Sequence, residues 1–427
     1  MKTVKRDGWF RPRGYSHFDY PLSFEAASKI ASNPDSVKKH SFLPLISFTD
    51  VKRQFRTDNS DRSIPRKLRP KIVKSKKRDL RYASHHDSAI FAYYAHMLQT
   101  RYEELLTEED LASCVIGYRS GLGSNIDMAA SAFAEIAHRG NVTALCFDIE
   151  NFFPSISHAV LKSCISQILH VTELDEDWYT VFKNVCRYSH VELKALAQLE
   201  GFDPESPPFP LVDNIPAVLK RCRAAKIIKR NNLNCDIPQG TPISAVFANA
   251  SMLEFDRAIR AWVIEHDGSY RRYSDDIMLL VSPKFEPEAV TIITKHARKI
   301  GLTINAQKTE VSHFVQQGSG QVTDLPITYL GFTFDGRNVG LRARTLSRYY
   351  RRMTYATRRA VRTAGQQGQK AEDAFKRGLF RDFTHLGHRN FYSYAKRADG
   401  KFASSIVKRQ LRRHFQILLR KLKSRGR

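Results

Sequence analysis

Nowhere in its 427 residues does this chain carry an apolar run long enough to cross a bilayer. Its opening Met1-Lys-Thr-Val-Lys-Arg-Asp-Gly-Trp-Phe10 lacks the apolar core of a secretion signal. No membrane association is expected. Cysteine is sparse: six copies, at positions 114, 146, 164, 186, 222 and 235, form no CxxC pair and accompany no histidine cluster. Such spacing indicates neither a disulfide framework nor a structural zinc site, and it suits a reducing cytoplasm. Acid is scarce at both ends. Residues 1–82 hold 8 acids against 21 Lys/Arg, and residues 341–427 hold 4 against 25.

The middle has the opposite sign, with 31 acids against 23 Lys/Arg over residues 83–340, although the whole chain carries +26. Two basic arms around an acidic centre suit a polyanion held over a cation-binding site. At this length two or three lobes, each with its own core, are expected.

What is present in that centre is a set of carboxylates in apolar company. In Tyr270-Arg-Arg-Tyr-Ser-Asp-Asp-Ile-Met-Leu-Leu-Val281, the run after Asp276 reads as a buried strand, and Tyr273 opens the turn into it. Asp275 and Asp276 therefore fall at a hairpin tip. Upstream, Ala144-Leu-Cys-Phe-Asp148 reads as a second apolar strand that delivers one acid just before it ends. Three carboxylates on two strand ends can hold two Mg2+, with Mn2+ as the substitute, because hard cations take oxygen ligands. Two such ions serve an in-line nucleotidyl transfer. Between the strands, Ile237-Pro-Gln-Gly-Thr-Pro-Ile-Ser244 is a tight turn opening a helix that runs to about Arg260. At Gly240 the missing Cβ allows close backbone approach. Ser244, Ala245, Ala248 and Asn249 read as an open small-residue face on which a bound polymer can lie.

Phe147-Asp-Ile-x-x-Phe-Phe-Pro-Ser-Ile156, Pro238-Gln-Gly-Thr-Pro-x-Ser244 and Tyr273-Ser-Asp-Asp276, in that order, resemble motifs A, B and C of reverse transcriptases. Gly301-Leu-Thr-Ile-Asn-Ala-Gln-Lys-Thr309 resembles motif D, and Tyr329-Leu-Gly-Phe332 resembles motif E, the primer grip. The resemblance implies an α+β right-hand polymerase: an N-terminal extension over 1–60, fingers over 61–143, a palm over 144–340 with an insertion at about 165–230, and a basic helical thumb over 341–427. It implies that Asp148, Asp275 and Asp276 ligate the metals, with the Ile149 carbonyl assisting. Phe153 would pack against C2′ of the incoming sugar and select dNTPs, while Phe152 is core. Lys308, unless it is simply a surface lysine, would protonate the departing pyrophosphate. Arg78, Arg81 and Arg119 would contact either the triphosphate or the template. Gln239 would touch the nascent pair or the template, and Tyr273, Gly240, Tyr329 and Gly331 the template and primer of an RNA–DNA duplex.

Arg11-Pro-Arg-Gly-Tyr-Ser-His-Phe-Asp-Tyr-Pro21 resembles the N-terminal extension of bacterial defence-associated reverse transcriptases. That resemblance implies antiphage activity with a dedicated structured noncoding RNA as template. No endonuclease, RNase H, maturase or integrase segment is read after the thumb, which argues against a self-sufficient mobile element. The alternatives are a retron-type enzyme, a template-independent or protein-primed DNA polymerase of the abortive-infection kind, and a non-enzymatic RNA-binding scaffold. Oligomeric state is not legible.

Several elements of the flanks are also expected: a strand hairpin over 51–82, helices over 86–106, 125–139, 158–170, 178–186, 216–230 and 286–300, and a strand over 302–305. A basic amphipathic helix over 349–362 is expected to break at Gly365 and Gly368. One helix is expected over 405–422. The aromatics of Asn390-Phe-Tyr-Ser-Tyr394 suit either stacking on RNA or the core.

Overall fold

The apolar runs and turn residues read above give a mixed α+β chain in the computed structural model. It describes residues 8–57, 63–65, 68–119, 121–318, 320–369, 376–403 and 405–423. Arg62, Arg66 and Lys67 of the basic stretch lie outside the described residues. Among the described residues the strands are β1 (Leu45–Thr57), β2 (Lys71–Tyr82), β3 (Val142–Asp148), β4 (Ser189–Glu192), β5 (Ile228–Arg230), β6 (Ser269–Tyr273), β7 (Asp276–Val281), β8 (Glu310–Gln317), β9 (Gly320–Thr323), β10 (Ile327–Tyr329), β11 (Phe332–Phe334) and β12 (Val339–Leu341). No helix among them is long and apolar enough to cross a membrane. All six cysteines are free.

The chain divides into two compact units. The first joins Met1–Ala112, Glu150–Arg257 and Ala297–Leu302. Its sheet has the order β2-β1-β4-β5. The β1–β2 hairpin is the one expected from alternating basic and aliphatic residues, and its register runs from Ile46 opposite Tyr82 to Thr57 opposite Lys71. Among the described residues only Leu45 to Ser47 of β1 also pair with β4, and the rest of the ribbon pairs with no third strand. Beside it the long helix His85–Glu108 buries Ile90, Phe91, Tyr94 and Leu98, as the helical spacing predicts.

The second unit joins Ser113–Ile149, Ala258–His296 and Thr303–Arg427. It holds the five-stranded sheet β6-β7-β3-β8-β9 and the three-stranded sheet β10-β11-β12. One core cluster runs from the helix Asn125–Arg139 through β3, β7 and β10 to β12 into the C-terminal helices, where Tyr349, Met353, Leu411 and Leu418 are buried.

Several expectations are corrected. The helix read over 216–230 ends at Ala224, because Lys226 takes a positive φ and Ile228 then pairs with Val191 as part of β5. The helix after Pro242 is two helices, Ser244–Ala250 and Leu253–Glu265. Ser244, Ala248 and Asn249 are buried, so they do not form an open bed for template. Residues 302–305 make one bridge, Ile304 to Ile149, not a strand. Gly365 stays inside the helix Ala343–Gln366, whose buried face outweighs the roughly 1 kcal/mol that glycine costs there. The C-terminal helix divides into Ser405–Leu411 and His414–Lys423.

The turn before Ser244 rests directly on β2. Gly240 has φ +131°, and a Cβ there would lie 2.5 Å from the Arg81 carbonyl oxygen. Gly240→Ala is expected to lower stability by about 1–3 kcal/mol in denaturant titration. Gly201→Ala, also at positive φ but with nothing within 4 Å of its Cβ position, should cost less.

Candidate active site

In β3, Val142 to Leu145 are buried, and in β7 Ile277 to Val281 are buried. Strands covered on both faces read as continuous apolar runs, and each of these keeps its acid at one end. The pair is antiparallel, in register from Thr143 opposite Val281 to Asp148 opposite Asp276. Directly paired Cα atoms lie about 4.5–5.5 Å apart, so register alone brings the two acids together.

Asp275 sits in the two-residue turn Ser274-Asp275, with Tyr273 opposite Asp276. Ser274 takes φ +60°, the sign that a tight hairpin requires at its first turn position. A buried lattice holds that backbone. Arg272, fully buried, donates Nη1 to the Ser274 carbonyl at 3.2 Å. The chain from Cys114 clips onto it: Arg272 N–H donates to the Cys114 carbonyl at 2.8 Å, and the Ile116 N–H donates to the Arg272 carbonyl at 2.9 Å. Gly117 is needed here, because a Cβ would stand 2.6 Å from the Ser274 nitrogen.

Lys308 donates Nζ to Asp148 Oδ2 from the one-turn helix Ala306–Lys308. The Asn305 N–H anchors that turn on the Asp148 carbonyl at 2.8 Å. Asp276 feels desolvation first, then the charges of Asp275 and Asp148, which together raise its pKa to about 6 against the pull of Arg342 and Lys308. Its side chain is nonetheless exposed, facing a cleft of about 560 Å3 that Arg119, Asn125, Tyr273, Gly331 and Arg342 also line. Among the described residues no group of three or more His, Cys, Asp or Glu forms a ready metal cluster. The donors still suit a hard cation: all are carboxylate oxygens, and the crowding that raises Asp276 is what bound positive charge relieves.

The cleft is also lined by the turn Leu330-Gly331, with φ +45° and +95°. Two positive φ values in a two-residue hairpin turn are the type I′ requirement. Asn125 Nδ2 donates to the Leu330 carbonyl at 3.0 Å and to the Tyr394 hydroxyl at 2.9 Å. Tyr329 lines the cleft from within the core, at 3% exposure. Arg119 donates Nη1 to the Val115 carbonyl at 2.8 Å. Ile149 is buried and bridges to Ile304.

The remaining predicted residues, Arg78, Arg81, Phe153, Gln239 and Gly240, belong to the first unit. There the Arg81 N–H donates to the Gln239 carbonyl at 2.9 Å, and the Arg81 guanidinium lies 4.9 Å from the centre of the Tyr188 ring. The Tyr188 hydroxyl donates to Asp236 Oδ2 at 2.5 Å. The Ile237 N–H donates to the Phe153 carbonyl at 3.3 Å, while Phe153 keeps a half-buried ring and Phe152 is core. Arg78 is exposed on β2, opposite Asp50.

Sequence reasoning missed Gly117, Asn125, Tyr188, Asp236, Arg272 and Arg342. Gly117 carried a signal, lying in the glycine-rich loop 117–123, whereas the others are joined to their partners only by folding.

An acid whose folded pKa lies above its unfolded value near 3.8 loses stability as pH rises through the interval up to about 6. In metal-free protein, Asp276→Asn is therefore expected to raise the melting temperature by about 1–3 °C near neutral pH, the small size reflecting exposure. Melting curves across the acid range should show that gain vanish below about pH 4.

Residues 96–334, more than half of the chain, match the family model for "Reverse transcriptase (RNA-dependent DNA polymerase)". A comparison with curated proteins finds no match. Among solved structures, apo telomerase from Candida tropicalis truncated from the C-terminal domain aligns at 12% identity and TM-score 0.39, over 75% of this chain and 61% of that one. Apo telomerase from the same yeast aligns at 11% and 0.40, over 95% and 63%. Telomerase from Candida albicans in complex with a TWJ fragment of telomeric RNA aligns at 14% and 0.40, over 92% and 60%. This chain thus spans about three-fifths of the length of those structures. By its family match, which runs through both β3 and β7, the chain belongs to the reverse transcriptases and carries their RNA-dependent DNA polymerase domain.

Proposed function

We propose that this enzyme copies a dedicated structured noncoding RNA into cDNA, in antiphage defence, with a fingers, palm and thumb arrangement over the divisions given above. The observation that carries the polymerase chemistry is the pairing of Asp148 with Asp276 beside Asp275. In this reading the three carboxylates and the Ile149 carbonyl hold two Mg2+, or Mn2+. When bound, such ions activate the primer 3′-hydroxyl and neutralise the leaving pyrophosphate.

The chain's own groups do the rest. Lys308, released from Asp148, carries the proton for the pyrophosphate oxygen. Arg78, Arg81 and Arg119 supply fixed positive charge, which a planar guanidinium presents to phosphate oxygens two at a time. The Phe153 ring excludes a 2′-hydroxyl, Gln239 and Gly240 seat the nascent pair, and Tyr273, Tyr329 and Gly331 line the path of template and primer.

Support for the RNA comes from charge. The helix Ala343–Gln366 contains no acid, and Arg348, Arg351, Arg352, Arg358, Arg359 and Arg362 are exposed on it. A cationic face of this kind binds a phosphate backbone with strong salt dependence. The antiphage element rests on the resemblance of residues 11–21.

Extension of a primed RNA by purified protein should use dNTPs, and Asp275→Asn should slow it by on the order of 10^2–10^3-fold or more. Phe153→Ala should admit NTPs; equal NTP use by the unaltered enzyme would remove Phe153 from this role. Sequencing of co-purified RNA should return one enriched species that the cDNA matches. Random cellular RNA, or cDNA unrelated to any RNA, would overturn the dedicated-template reading.

A further inference from the structure

One aromatic residue lining the Asp276 cleft is held in a conformation that its type disfavours. Tyr118 takes φ +58°, in the left-handed region where a side chain crowds the backbone and which Gly, Asn and Asp occupy far more readily than a bulky ring. Such strain persists only where the surroundings enforce it, and it gathers at sites that bind or react.

Both neighbours of Tyr118 enforce it. Gly117 abuts the catalytic turn so closely that a Cβ there would stand 2.9 Å from the Tyr273 Cα, and its N–H donates to the Arg272 carbonyl at 3.3 Å. On the other side Arg119 is tied back to the Val115 carbonyl. The ring between them is 46% exposed, so burial does not repay the strain. Its centre lies 6.0 Å from that of Tyr273, with the two planes inclined by 43°. Two aromatic rings thus stand side by side in the cleft that Asp276 and Gly331 also line.

We propose that Tyr118 contacts the last nucleotide of the primer, its ring and that of Tyr273 forming an apolar shelf that keeps the 3′-oxygen at the three carboxylates. The proposal rests on the reading of Asp148, Asp275 and Asp276 as the polymerase centre. A growing strand must bring its 3′-oxygen to that centre. The Tyr118 Cα lies about 3.8 Å from that of Gly117, which abuts Ser274, so the nucleotide within reach of the ring is the one that carries this oxygen. A paired base has both faces covered by the stack, which leaves its sugar and groove edge to the protein. A tyrosine ring offers an apolar face to the sugar C–H groups and a polar tip at the rim.

Tyr118→Asn suits the left-handed conformation and removes the ring, so a ring kept for structure and a ring kept for substrate give opposite results. The full chain is assayed on a DNA primer annealed to a defined RNA template. The expected result is a melting temperature at or above that of the unaltered chain, with KM for the primer–template raised about 10-fold and KM for dNTP within about 2-fold of its original value. Tyr118→Phe, which keeps the ring, should hold both KM values within about 2-fold. For location, p-benzoylphenylalanine replaces Tyr118, and irradiation with the same hybrid in Mg2+ without dNTP should crosslink the last or next-to-last primer nucleotide. A lowered melting temperature for Tyr118→Asn, a rise confined to KM for dNTP, or a crosslink that is absent or lies only on the template would overturn the proposal. Failure of the unaltered chain to extend the primer would count against the polymerase reading instead, and the crosslink, which needs no turnover, still decides the contact.

Discussion

Two like charges placed opposite each other across β3 and β7 are the constraint to which the rest of the second unit answers. Water would separate such groups, and the sheet does not allow it, because the register is fixed by apolar pairs from Thr143 and Val281 onward. Desolvation first, and then the charges of Asp275 and Asp148, raise the pKa of Asp276, partly offset by Arg342 and Lys308. The backbone beneath is held just as firmly, by a buried arginine and by a glycine that leaves room for the turn. Strain and crowding gather at one hairpin, as expected of a site built for ligands rather than for stability.

How much of this the sequence disclosed depends on whether a signal was local. β3 and β7 were legible because strands buried on both faces leave uninterrupted apolar runs, and the acids at their ends stood out against that background. The small residues Ser244, Ala248 and Asn249 were misread because small side chains suit close packing as well as an open bed. The strand β4 left almost no trace: of Ser189-His-Val-Glu192 only Val191 is buried, and its partner lies in β1. Where the last helix divides, the His414 ring lies against the Leu411 carbonyl, a contact that periodicity does not encode.

The polar contacts that organise the first unit were the least legible. Arg81 was singled out as a cation for phosphate, yet its setting comes from Tyr188 and Asp236, far along the chain. Neither residue announces itself by type or spacing. An arginine braced over an aromatic ring has less side-chain freedom, and Tyr188 gives Arg81 that restraint.

The contact between Gly240 and the Arg81 carbonyl makes two distant stretches of chain heritable as one. Neither the ribbon nor the turn can drift in sequence without the other conceding space, so substitutions in relatives should arise there in matched sets. A chimera that borrows β2 from a cousin without its accompanying turn inherits half of a steric agreement.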